Sequence, residues 1–459
     1  VRRVTRAGGI ALAAAGVGLV LRLAWLPLWG TFDTEVQKAW SWRAATAGVA
    51  DIYGPSDGEL LERAGERGGV LELLRMPFPR TRFEWGNASY FVDYPPGSIL
   101  VLWAAGELYA LHDAELPNRR AFNAAINLAP LLGSVAIAWL LWRSAPGAEG
   151  ATRALAFWLN PAVLLAAPVL GYQDTVFCVF GLAAVLALSK RHFAAAAACV
   201  FAAGLIKPQG VLLLPALLVA LAREGTGRAW LRAGLAALGT SAMVLAPWWA
   251  SGHLLSALDG CRRPLGQGTL APLGLNLWWI AGWVMDWAQS GPWPLARIVG
   301  IPEFAGWAGF DPRSPARLAL VAATGAIAWL LWRAGPTDRP HLAAAVIVQV
   351  HAYALLATSV HENHTFLAVV LAPLLLPEAS RGRAVLALTS AFLFLSLFFA
   401  AGLGRRITRL ATIEALRGVL VLDLSVLVAA AHVALVVGLV AWWVRDATRG
   451  PCNKIRADA

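Results

Sequence analysis

Apolar residues in this chain gather in long runs instead of alternating with polar ones. Runs of about 17–25 apolar residues can cross a ~30 Å hydrocarbon core as helices. The ten-residue alternation of barrel strands is not visible. With Pro, Gly and charge clusters as boundaries, the pattern predicts spanning helices near 7–29, 119–142, 152–169, 174–189, 192–206, 210–223, 231–249, 317–333, 342–360, 365–378, 384–403 and 417–444. The stretch after the basic Val1 to Arg6 is longer than a signal-peptide core and reads as an uncleaved first helix.

Charge placement sets the orientation. Arg143 and Arg153, Lys190 and Arg191, Arg223, Arg228 and Arg232, Arg333 and Arg339, and Arg381 and Arg383 all sit in short loops on one side. Cytoplasmic loops accumulate such residues. Pro96 to His112 and Asn276 to Gln289 are apolar too, but counting them as spans would put Arg143, Lys190, Arg191 and Arg228 outside. Both are therefore read as helices at the outer membrane surface. The expected fold is all-α: one polytopic transmembrane bundle of about 12 helices over 1–459, with large extracytoplasmic loops at 31–118, holding short surface helices, and 250–316.

Composition agrees. The chain has 459 residues, 58% hydrophobic and 14% charged, with mean hydropathy +0.61; a soluble protein carries roughly 25% charged residues. Net charge is +11, which suits basic cytoplasmic loops better than nucleic-acid binding. The 22 Trp suit helix ends at lipid headgroups. The four cysteines match neither a zinc nor a disulfide spacing. No Gly-rich nucleotide loop appears, so no cofactor and no cytoplasmic nucleotide-sugar donor is expected.

The unusual polar groups fall on the outer face. Asp33 and Glu35 follow the first apolar run, as paired carboxylates or as a solvated helix cap. Asp93-Tyr94-Pro95-Pro96 starts a helix, as Pro in a first turn does. Gln173-Asp174 and Lys207-Pro208-Gln209 lie between middle helices. Asp174 suits a cap, and Lys207 either snorkels or meets a phosphate. His361-Glu362-Asn363-His364 follows later; two His and one Glu in that window are a weak metal signal, and no metal is expected. Arg405, Arg406, Arg409 and Arg417 form a basic loop that lands outside, either an ordinary loop or a grip on an anionic lipid. Ionisable residues at a membrane face usually line a functional cavity.

In this order the motifs resemble the GT-C superfamily of membrane glycosyltransferases, most nearly the dolichyl-phosphate-glucose-dependent glucosyltransferases and their bacterial relatives. The resemblance spans about residues 1–375. It rests on the D-x-E of Asp33 and Glu35, the D-Y-P-P from Asp93, Gln173-Asp174, Lys207 to Gln209, Asn276-Leu277-Trp278 and His361-Glu362. Where the family often has a basic residue after His-Glu, this chain has Asn363.

The resemblance implies an inverting hexose transfer from a polyprenyl-phosphate donor to a glycan or glycolipid acceptor. The site would lie on the extracytoplasmic face, here of a bacterial inner membrane. Asp33 and Glu35 are the expected catalytic pair, with Asp33 the base. Asp93, Tyr94, Gln173, Asp174, Lys207, Gln209, Asn276, Trp278, His361, Glu362, Arg405 and Arg406 are expected to bind substrates. Lys207 and His361 would face the leaving phosphate, with Glu362 fixing the tautomer of His361. A secondary transporter or flippase is the rival reading. Its site would lie nearer the midplane, between matching halves.

Overall fold

The computed structural model describes residues 2–28, 30–76, 80–291, 294, 296–334, 338–401 and 424–448. Arg405, Arg406, Arg409 and Arg417 lie outside the described residues. The chain is helical throughout, with one antiparallel hairpin, β1 (Phe83–Trp85) and β2 (Ala88–Tyr90), among the described residues.

Among the described residues five helices are long and apolar enough to cross a membrane: α6 (Arg120–Arg143), α12 (Gly227–Ala250), α16 (Arg313–Arg333), most of α19 (Ala379–Ala400) and most of α20 (Leu424–Thr448). A sixth arises if α7 (Gly147–Trp158) and the following 161–169 segment, bent by 47°, form one span. That segment opens with α8 (Pro161–Leu164). The bend is written in the sequence: Pro161 disfavours helical geometry at Asn160, which then caps α8 by accepting from the Ala162 amide at 2.9 Å.

Outward faces support a membrane-embedded protein. Leu231, Leu238 and Met243 on α12 and Leu318 and Val321 on α16 are each more than 60% exposed. A water-soluble helix would turn such a stripe inward, whereas lipid solvates it. The core packs α9 (Asp174–Leu188), α10 (Phe193–Ile206), α17 (Arg339–Leu356) and α18 (Phe366–Leu371) together. α17 is buried nearly all round, as befits a central helix that is apolar on every side.

The expected helix at 210–223 instead starts as a 3₁₀ turn, Pro208–Leu213, and becomes α11 (Leu214–Glu224). Helices are found at the two apolar stretches near 96–112 and 276–289, as α5 (Pro96–Ala110) and α14 (Leu277–Ser290). The rest of the first loop folds into α2 (Phe32–Ala47), α3 (Asp57–Arg67), α4 (Val70–Arg75) and the hairpin; α13 (Leu254–Arg262) and α15 (Ile301–Ala308) belong to the second loop. α1 (Arg2–Trp25) precedes them all.

The two loops pack on one another. The Leu255 amide donates to Asp57 at 2.6 Å. Buried Arg263 donates to Asp259 at 2.7 Å and to the carbonyls of Val92 at 2.8 Å and Tyr53 at 3.0 Å. Segments joined this way share one side of the bundle.

Exposed Gly58 has room for a larger side chain. In a chain whose native cysteines are replaced, Gly58→Cys should react with an impermeant thiol reagent in intact cells. Labelling only after permeabilisation would reverse the orientation.

Candidate functional site

Close packing at small residues assembles the site. The hydroxyls of Thr31 and Thr34, at the start of α2, donate to the Leu170 carbonyl at 3.3 and 3.5 Å. Gly171, at φ +74°, makes this contact fit, since a Cβ there would lie 2.6 Å from the Thr34 hydroxyl. Gly97 does the same for α5, where a Cβ would lie 2.7 Å from the Leu205 carbonyl. Beside it the Ser98 hydroxyl donates to the Ile206 carbonyl at 2.5 Å. These seams bring the starts of α2, α5 and α9 to the end of α10.

At their meeting point Lys207 donates to Asp174 at 2.6 Å, and Asn363 donates to the other Asp174 oxygen at 2.9 Å. Both charged side chains are at least nine-tenths buried. Burial opposes the Lys207 charge, but Asp174 and then Tyr94 outweigh it and lift the pKa of the ammonium.

A cavity of about 610 Å³ opens beside this pair. Of the residues expected from sequence, Asp33, Asp93, Tyr94, Lys207, Gln209, His361 and Glu362 line it. Asp33 lies in the first turn of α2, whose N-cap is Thr31, so it does not cap the helix. Its carboxylate makes no hydrogen bond among the described residues and is open to the cavity space. Enclosure by the cavity walls, then the facing Glu362, raises its pKa; His361 and Lys207 oppose the rise. Asp93 is likewise raised by burial, against Arg80.

Glu362 accepts a short hydrogen bond from the Tyr172 hydroxyl, while its other oxygen is buried without a partner. Burial raises its pKa, and the Tyr172 bond opposes that. The bond expected from Glu362 to His361 is not made, the groups being 4.0 Å apart. Gln267 meets His361 Nε2 instead, at 2.9 Å. Burial keeps both His361 and His364 below the usual imidazole range; Asp33 opposes this at His361, and Lys207 reinforces it at both. His364 lies between Gln209, 2.8 Å from its Nε2, and the Tyr353 hydroxyl, 3.2 Å from its Nδ1.

Other expected residues sit outside the cavity. Two helical positions differ by about 200°, so Glu35 faces away from Asp33. It pairs with Lys38 at 2.5 Å and accepts from Asn118 at 3.1 Å. Gln173 donates to Gln37 at 3.3 Å behind the wall, and Asp174 is held by Lys207 and Asn363. Asn276 caps α14, accepting from the amides of Trp278 at 3.0 Å and Trp279 at 3.1 Å, and donates to the Ala357 carbonyl at 3.1 Å. Trp278 donates to the Leu356 carbonyl at 2.7 Å. These two pin α14 to the cavity wall and do not line it.

Sequence reasoning passed over Gln267, Arg313, Arg317 and Tyr353, which do line it. The available signal was the i, i+4 arginine pair opening an apolar helix. No group of three or more His, Cys, Asp or Glu suited to a metal occurs among the described residues.

Two stability effects follow. Removing one partner of a buried ion pair typically costs about 3–5 kcal/mol. Lys207→Ala should therefore melt well below the parent, and adding Asp174→Asn should recover much of the loss; a double variant as weak as the single would remove the pair as the cause. For Asp33, a folded-state pKa above the unfolded value means stability present at acid pH and lost as pH rises through the folded pKa. Asp33→Asn cannot ionise, so at neutral pH it should melt above the parent. The difference should close on acidification, which thermal scans across pH would reveal.

No protein-family model matches the chain, and no curated protein matches it. A functional assignment therefore rests on the chain's own residues and their geometry.

Proposed function

We propose that the chain is an integral membrane glycosyltransferase of the GT-C type, transferring a hexose from a polyprenyl-phosphate donor to an extracytoplasmic glycan or glycolipid. On this reading α1, α9, α10, α11, α17 and α18 join the six longer spans, giving about twelve crossings, and the cavity faces the extracytoplasmic side of a bacterial inner membrane.

The observation that carries the reading is Asp33: an unbonded carboxylate open to a large cavity that also holds Lys207, His361, Arg313 and Arg317. A carboxylate of raised pKa suits a general base, and cations suit a departing phosphate. Asp33 takes the proton of the acceptor hydroxyl, whose oxygen forms the new bond to the anomeric carbon. The bond from that carbon to the phosphate oxygen breaks, and the electron pair leaves with the phosphate. Lys207 is already paired with Asp174 and Arg313 with Asp311, so Arg317 carries more of the charge stabilisation than the motif alone implies, while His361, held neutral, serves as a hydrogen-bonding group.

Three buried acceptors on the cavity wall lack a donor: Gln209 Oε1, Glu362 Oε2 and Asn363 Oδ1. Trp40, Tyr90 and Tyr94 offer aromatic faces alongside. Helix ends and loops supply most of the lining, whereas a transporter site would sit near mid-span.

The test is sugar transfer by purified protein in liposomes, followed by mass spectrometry over a panel of polyprenyl-phosphate hexoses. Asp33→Asn should lower turnover by roughly 10²–10⁴-fold with donor binding kept. The base works ionised, so the parent rate should fall as pH drops through a pKa above the usual carboxylate range, and Asp33→Asn should lack that limb. Near-parental turnover by Asp33→Asn would reject Asp33 as the base. No transfer from any donor on the panel would count against the enzyme reading itself.

A further inference from the structure

The cavity wall that carries His361 is braced by a segment, 267–276, that crosses behind it. The Ser359 amide donates to the Leu270 carbonyl at 3.0 Å, and its hydroxyl shares its one proton between the carbonyls of Thr269 at 2.8 Å and Gln267 at 3.1 Å. Ser359 is held at φ +60°, a conformation that an L-residue adopts only when its surroundings impose it. A Cβ on Gly274 would lie 2.1 Å from the Val360 carbonyl, so the two backbones touch. Gln267, at the start of the brace, orients His361, and Asn276, at its end, holds Ala357.

The brace is itself held from behind by the last helix. His432 of α20 meets the Leu275 carbonyl through Nδ1 at 3.2 Å and His351 of α17 through Nε2 at 3.1 Å. A carbonyl only accepts, so Nδ1 of His432 carries the proton. In a neutral ring Nε2 then accepts, and His351 Nδ1 must donate to it. The chain of donors runs one way, from His351 to His432 to Leu275. Both imidazoles are buried, and Phe392 stacks on His432 with ring centres 3.9 Å apart.

We propose that His432, set in its tautomer by His351, is a positioning residue: it ties the last helix to the 267–276 brace and so fixes the wall that presents His361. This gives α20 a role that no motif in its sequence announces. It concerns the cavity's shape and holds whatever reaction the cavity performs.

Hydrogen–deuterium exchange on the intact protein in lipid nanodiscs needs no substrate, so its outcome is separate from that of the transfer assay. His432→Phe keeps the ring stack and removes both hydrogen bonds. It should raise exchange in peptides covering 267–276 and 356–361 by about tenfold, as expected for one lost buried hydrogen bond, with α9 and α10 unchanged. His351→Asn keeps a donor near the Nδ1 position and should stay within about twofold of the parent in those peptides, whereas His351→Leu should behave as His432→Phe does. Parental exchange in the brace, or a rise spread evenly over the bundle, would overturn the proposal. If His432→Phe does not fold, the two His351 variants decide it, and equal brace exchange in both overturns it.

Discussion

Burying the Lys207 ammonium against the Asp174 carboxylate is the constraint on which the site's architecture depends. A lone charge at that depth carries a desolvation cost of several kcal/mol, which only a close, well-bonded partner offsets. The pair therefore fixes where the end of α10 meets the start of α9. Asn363 takes the second Asp174 oxygen and brings the segment after α17 to the same point. Three stretches far apart in sequence are thus held by one carboxylate, and the cavity is the space left on their open side.

The same pair shapes the chemistry. Because Asp174 absorbs most of the Lys207 charge, the ammonium only partly offsets what burial does to the carboxylates nearby. Asp33 and Glu362 face each other, and both are pushed toward the protonated form. Their environments differ all the same. Glu362 is locked to Tyr172, whereas Asp33 has no hydrogen bond among the described residues and is open to the cavity. Of two carboxylates sharing a site, the unbonded and accessible one is free to exchange a proton with a ligand.

The helical class and the polar motifs that meet at the cavity were legible because each is a local signal: an apolar run, a di-proline start, a carboxylate beside a helix end. What a motif residue does once folded was less legible, since that depends on helical phase and distant partners. Asp33 and Glu35 look equivalent in sequence, yet helical phase sends one to the cavity and the other to Lys38 and Asn118. Asn276 and Trp278 read as ligand contacts but act as a cap and an anchor. Gln267 reached the site only through the fold of the second loop, with no pattern around it to mark it. Arg313 and Arg317 open an apolar helix, where a basic pair reads first as an orientation signal.

The two large loops hold one another through a buried guanidinium. Arg263 is buried, and beside its local pairing with Asp259 two of its bonds span sequence: to Val92 just before the Asp93 motif, and to Tyr53 in the first loop. Tyr53 in turn donates to the Tyr94 carbonyl at 2.7 Å. A guanidinium has five donors in a fixed plane, so satisfying it fixes the relative positions of the groups it reaches. The first loop cannot shift against the second without costing that buried guanidinium two of its carbonyl acceptors. Asp93 and Tyr94 are thereby held against the cavity from one side, as Lys207 and Asn363 are held from the other. Two buried ion pairs, Lys207–Asp174 and Arg263–Asp259, thus flank the cavity, and the further bonds that their side chains make fix the elements around it.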